Sequence, residues 1–253
     1  MKILLSPAKS INENAIKISD TTIPIFQKES SKIVNILKKK KSKDLQELMS
    51  ISQDIADLNV NRFKKWKKSD SEDEKLIQAG PAFIGEVYRG LDIVTLSEEE
   101  IAKANQKIRI LSGLYGVLKP SDLIYPYRLE MGTRFSPIEE QSNLYQYWND
   151  KVAKCITKEL SKGEIIVNLA SQEYFKVIGQ NKMKNRIITP IFKEFKNGKF
   201  SIVMMYAKHA RGAMARYLIQ NELNDINELK LYNVDGYSYD ENQSTENEWV
   251  FIR

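Results

Sequence analysis

The sequence predicts an α/β fold, mixed α+β in character, on three observations. Short apolar runs with strand character recur along the 253 residues, separated by segments of helical period. A strong hairpin signal, the Asn197-Gly198 pair, stands late in the chain. No Pro/Gly/Ser-rich linker, internal repeat or long low-complexity run divides the chain, so residues 1–253 are expected to form a single domain.

The elements follow in order. "KILLSP" reads as a buried first strand ended by Pro7. "ESSKIVNILKKKKS" and "KDLQELMSISQDIADL" place Ile33, Ile36 and Leu37, then Leu45, Leu48, Met49 and Ile55, at helical spacing, with Ser42 or Asp44 as a cap. "KIRILSGLYG" is expected to be a strand running into a glycine-punctuated turn. "EIIVNLAS" reads as another buried strand running into a polar bend. "DKVAKCITKELSK" reads as a helix holding Cys155 as a half-buried thiol. "RIITPIF" and "FSIVMMYA" flank "KEFKNGK" and read as the two strands of the hairpin. A helix over "YAKHARGAMARY", a short helix near "DINELKLY" and a closing strand "WVFIR" complete the chain.

Composition narrows the classes of function. With 42% apolar residues the chain can bury a real core, and no stretch approaches the roughly 18 apolar residues of a membrane span. The three-residue apolar run after Lys2 is too short for a signal-peptide core, so a cytoplasmic protein without membrane contact is expected. One cysteine excludes an internal disulfide, and one cysteine with one histidine cannot furnish a closed zinc site. No metal and no cofactor is therefore expected. The net charge of +6 is unevenly placed. Lys28 to Lys68 carries twelve Lys or Arg against five acids, whereas Glu222 to Glu248 carries eight acids against Lys230 alone. A basic side suited to a polyanion, opposed by an acidic side, is one reading; lysine-rich solvated helix faces are the other.

"YAKHARGAMARY" holds three cations, the only histidine and no acid. At about 100° per residue, Ala207, Ala210, Met214, Tyr217 and Leu218 share one face, and Lys208, Arg211, Gly212, Ala215 and Arg216 share the other. Cations ringing a bare backbone patch suit a phosphate-bearing ligand. Small residues that admit a neighbouring helix are the alternative. His209 lies near Arg216 on the wheel and is expected to be hydrogen-bonded.

Three further groups carry polar chemistry. Ser112, Gly113, Tyr115 and Gly116 follow a strand, where a glycine pair exposes backbone N–H groups able to meet an anion. Neither nucleotide-binding fingerprint is present. Tyr127, Arg128 and Glu130 offer a stacking ring, a cation and a carboxylate, or else a buried ion pair. Asn168, Ser171, Glu173 and Tyr174 fall at a strand end, the edge where α/β sheets place ligands. Ser171 has only His209 as a conceivable base, so a hydrolytic triad is not expected.

Residues 44–68 are a candidate helix-hairpin-helix element: a helix to Leu58, an "LNV" turn, and a second helix from Asn61 carrying Arg62, Lys64 and Lys65. Asn59 would take the left-handed position usually given to glycine. Trp66 is expected to anchor the core rather than to stack on a ligand.

Together "SPAKS", "LSGLYGVLKPSDL", "PYRLEMG", "LYQYW", "NLASQEYF", "KNGK" and "YAKHARGAMARY" resemble the YaaA peroxide-stress-resistance family, in order and over essentially the whole chain. The resemblance implies a cytosolic single-domain protein with an unusual mixed α/β fold and a positively charged cleft. It implies DNA binding through a helix-hairpin-helix element, and a role in limiting free iron during hydrogen peroxide stress. Carried over, the cleft would use Lys9 of "SPAKS", Arg128, Lys208, Arg211 and Arg216, with "LNVNRF" as the hairpin.

Two functions are carried forward. The first is a monomeric, non-sequence-specific binder of double-stranded or distorted DNA that grips phosphates. The second is an enzyme on a small anionic or nucleobase-like substrate, with Arg128 and Lys208 orienting it and Glu130 or Glu173 as acid or base.

Overall fold

The computed structural model describes residues 1–18, 21–69, 73, 75–179, 183–223 and 225–253. The chain opens with β1 (Lys2–Leu5), which is almost fully buried, and the short β2 (Ser10–Ile11). Three helices follow: α1 (Gln27–Leu37), α2 (Ser42–Met49) and α3 (Gln53–Lys65). Next come β3 (Ile77–Gln78), α4 (Ala79–Ala82), β4 (Phe83–Ile84), α5 (Glu86–Leu91) and α6 (Glu98–Lys107). Ser97 caps α6 by accepting the Glu100 N–H, while the Glu100 carboxylate accepts the Ser97 N–H, a reciprocal box legible as S-x-x-E. The middle of the chain forms β5 (Ile108–Ser112), β6 (Gly116–Leu118), β7 (Leu123–Ile124), α7 (Leu144–Lys158), β8 (Ile166–Asn168) and α8 (Gln172–Phe175). The chain closes with β9 (Ile187–Lys196), β10 (Lys199–Ser201), α9 (Met204–Gln220), β11 (Ser238–Asp240) and β12 (Glu248–Ile252).

The main sheet has the order β11-β12-β9-β8-β1-β5-β6, with β10 pairing only with β9. Its centre is parallel: β12 on β9, β9 on β8, β8 on β1 and β1 on β5. Antiparallel pairs stand at the margins, β5–β6, β11–β12 and the β9–β10 hairpin. The fold is thus mixed α/β, with helices flanking a mixed sheet. The parallel strands read as continuous apolar runs because both faces are covered: Ile3, Leu4, Leu5, Ile108, Ile110, Ile166 and Val167 are all fully buried. The hairpin turns at Asn197 and Gly198 with φ of 54° and 76°, the left-handed pair that a two-residue hairpin requires.

Two sequence expectations need correction here. "FSIVMMYA" is not a long strand: β10 ends at Ser201, and Met204–Ala207 already form the first turn of α9. The helical hairpin also sits elsewhere. α3 runs unbroken through Leu58, Asn59 and Val60, and the turn lies at Ser50–Ser52, where Ser50 takes the left-handed conformation (φ 51°). The physical reason is the buried stripe Ala56, Asn59 and Phe63, whose spacing carries the helical period across the expected break.

Candidate functional site

Because β1, β5 and β8 are parallel neighbours, Leu5, Ser112 and Asn168 end at one edge of the sheet, and the segments that follow converge there. The Ser6 hydroxyl donates to Ser171 Oγ at 3.1 Å and accepts the Ser171 N–H at 2.8 Å; the Tyr88 hydroxyl donates to the Ser6 carbonyl at 3.0 Å. Ser112 Oγ pairs with the Tyr127 hydroxyl at 2.5 Å and accepts the Tyr115 N–H at 3.0 Å. Asn168 Oδ1 accepts the Ala170 N–H and its amide donates to Thr189. Ser112, Tyr115, Tyr127 and Asn168 are therefore used up in joining strand ends.

The glycine pair serves packing, which corrects the expected anion nest. A Cβ at Gly113 would fall 2.4 Å from the Leu129 carbonyl oxygen, and one at Gly116 would fall 2.7 Å from the Trp148 ring. Both glycines are covered, and the Gly113 carbonyl accepts the Trp148 indole N–H at 2.8 Å. Tyr127 is no stacking platform either: it is buried edge-on against Tyr115 and Phe83, and burial pushes its phenol pKa well up. Burial does the same to Tyr174.

In front of this tied edge, Lys9 and Arg128 converge as expected, but on a shared carboxylate. Glu130 Oε2 meets Lys9 Nζ at 2.9 Å and Oε1 meets Arg128 Nη2 at 3.2 Å. Both cations are thereby paired with this one carboxylate, and the buried Arg128 Nε–H has no acceptor among the described residues. Glu173 lies alongside, its Oε1 accepting the Gly132 N–H at 2.9 Å. A cavity of about 520 Å³ opens here between the C-terminal end of α2 (Glu47, Leu48, Met49, Ser50) and Glu130, Gly132, Thr133, Arg134 and Glu173. Sequence reasoning missed Glu47 and Arg134, because only the turn at Ser50 folds α2 over the edge. Among the described residues no three His, Cys, Asp or Glu side chains stand together to hold a metal ion, and no helix is long and apolar enough to cross a membrane.

The bare backbone at the centre of the expected patch on α9 is covered. A Cβ at Gly212 would lie 1.8 Å from the Val87 carbonyl oxygen, and one at Gly90 would lie 2.1 Å from that of His209. α5 and α9 cross backbone to backbone through these two glycines. Arg216 Nη1 donates to the Leu91 and Asp92 carbonyls and to Thr95 Oγ1 at 2.9–3.1 Å, satisfying the C-terminal end of α5. It thereby caps this helix. His209 faces Asp235 at 3.7 Å. Lys208 is exposed; Arg211 is half-buried and burial depresses its pKa with no carboxylate opposing it.

The helical unit holds a second basic surface. Asn59 is not at a turn: it is buried in α3 and its amide donates to the Ile55 carbonyl at 2.8 Å. Arg62 is paired with Glu13 at 2.8 Å. Trp66 anchors the core, donating its indole N–H to the Tyr115 hydroxyl at 2.9 Å. The Lys38 ammonium donates to the Trp66 carbonyl at 2.7 Å, which draws the end of α1 to the end of α3. Two lysine runs far apart in sequence meet as a result. Lys39, Lys41, Lys43, Lys64, Lys65 and Lys68 are exposed there and, among the described residues, have no carboxylate partner.

A model of the family described as peroxide stress protein YaaA matches residues 1–243. Full-length relatives include a UPF0246 protein of Marinomonas sp. (strain MWYL1), 44% identical over 254 residues that cover 100% of this chain and 97% of the relative. UPF0246 proteins of Flavobacterium johnsoniae and Flavobacterium psychrophilum are 45% and 46% identical, each covering 100% of both chains.

Proposed function

The chain belongs to the peroxide stress protein YaaA family, and from that premise we propose that it serves the peroxide stress response by binding DNA through its phosphate backbone, without sequence preference. The observation that supports this most is the junction of Lys38–Lys43 with Lys64–Lys68, where six exposed ammonium groups have no carboxylate partner among the described residues. A polyanion gains affinity from such a surface by releasing its counterions. Lys208 and Arg211 are additional candidate contacts, whereas Lys9, Arg62, Arg128 and Arg216 are engaged within the protein. In this reading the monomer covers double-stranded or distorted DNA in the cytoplasm. Covered backbone holds less iron at the duplex, where hydrogen peroxide would turn it into damaging radicals.

The test is fluorescence anisotropy of a labelled duplex across a salt series, for wild type and for a variant with Lys39, Lys41, Lys43, Lys64 and Lys65 changed to Gln. Affinity should fall more than tenfold at about 0.1 M salt, and the log–log salt slope should shrink by roughly 0.9 for each lost phosphate contact. An unchanged affinity and slope would remove this surface from the account.

A further inference from the structure

The cavity beside Glu173 has a different electrostatic character from the lysine surface. Its two basic neighbours, Lys9 and Arg128, are already paired with Glu130. Glu173 has one oxygen fixed by the Gly132 N–H, and its other oxygen has no partner among the described residues. The approach is close: a Cβ at position 132 would lie 3.1 Å from that fixed oxygen, so the end of the Glu173 side chain would have to shift by a few tenths of an ångström. Glu47, exposed, lines the same cavity and has no partner among the described residues. The C-terminal end of α2 lines the same space, and the last carbonyls of a helix carry the negative end of its dipole. Arg134 is the one cation among the described residues of the lining, and Leu48 and Met49 supply an apolar wall.

We propose that this cavity binds a small planar ligand presenting two adjacent N–H donors, the edge shared by a guanidinium group and a guanine base. A carboxylate held in place by one backbone bond receives such a pair side by side. The apolar wall takes the flat face, and the helix end and Glu47 favour donors over acceptors. Phosphate is the wrong ligand here, since it would meet two free carboxylates. The 520 Å³ cavity admits a nucleoside. The inference is independent of the DNA reading, because none of the exposed lysines lines the cavity.

Isothermal titration of the full chain with agmatine, guanosine and inorganic phosphate tests it. Either agmatine or guanosine should bind, phosphate should not, and Glu173→Gln should weaken the binding at least tenfold. Glu47→Lys, at an exposed position that leaves the fold intact, should weaken it severalfold; it decides the matter if Glu173→Gln does not fold. Arg134→Ala separates the two sources, weakening guanosine, whose carbonyl it would meet, and strengthening agmatine. No heat with either probe, binding indifferent to both Glu variants, or phosphate binding lost in Arg134→Ala would overturn the proposal.

Discussion

The Lys38 ammonium and the Trp66 carbonyl, 28 positions apart, are 2.7 Å from one another. That bond spends one lysine to hold the others together, because Trp66 is itself fixed to the core through Tyr115. Lys38→Met keeps the aliphatic stem and removes the donor. It should cost about 1–3 kcal/mol in urea unfolding, as for a hydrogen bond to a charged group. It should also weaken duplex binding, although Lys38 contacts no phosphate in this account.

Gly212→Ala gives a prediction of unusual sign. In an exposed helix interior the change stabilises by about 1 kcal/mol. Here the new methyl would be driven into the Val87 carbonyl of α5, so the variant should lose about 3 kcal/mol or more, by overpacking. Thermal or urea unfolding reads the sign directly; a gain would mean that the two helices do not cross as described.

Arg216→Ala leaves the Leu91 carbonyl without its donor and removes one of several donors to the Asp92 carbonyl, which keeps the Thr95 N–H and hydroxyl. A loss of about 2 kcal/mol is expected in urea unfolding. Duplex affinity, compared at a temperature where both proteins are folded, should stay within about twofold of wild type, since Arg216 adds to no phosphate contact. A large affinity loss in a folded variant would return this residue to the binding surface.

Much of the fold was legible in the sequence, and the reasons are local. Buried parallel strands announce themselves as unbroken apolar runs, as "KILL" and "IRIL" do, and Asn197-Gly198 has one favoured turn geometry. The place of Ser171 and Glu173 just after a strand followed from the end of the apolar run "EIIVNLAS", whereas the meeting of Lys9 with Arg128 and Glu130 was implied only by the family resemblance. What failed depended on contacts across the chain. Gly212 and Arg216 have the same helical-wheel positions whether a ligand or α5 covers them, and only tertiary packing decides. The Ser50 turn was hidden for a related reason: a left-handed serine carries no composition signal, while Asn59 looked like a turn residue and is instead a buried rung of α3.

Asp122 predicts a pH dependence. Burial raises its carboxyl pKa despite the Thr22 hydroxyl and Lys119 N–H bonds that favour its ionised form. A carboxyl whose folded pKa lies above its unfolded value, about 3.9, contributes stability that is complete below that value. The contribution is lost as the pH rises through the raised folded pKa. Asp122→Asn removes this component, so unfolding free energies should shift in the variant's favour, relative to wild type, as the pH rises from about 4 through the raised folded pKa. A wild-type carboxyl that titrates at or below the ordinary range, read by NMR, would contradict the burial argument.

The most direct test of the central claim is lysine footprinting: brief acetylation of the protein with and without bound duplex, followed by mass spectrometry of each lysine. The account predicts that DNA protects Lys39, Lys41, Lys43, Lys64, Lys65 and Lys68 together, while Lys103, already paired with Glu99 and Glu222 on the α6 side, is unchanged. Protection confined to other lysines, or none at DNA concentrations that saturate binding, would contradict it.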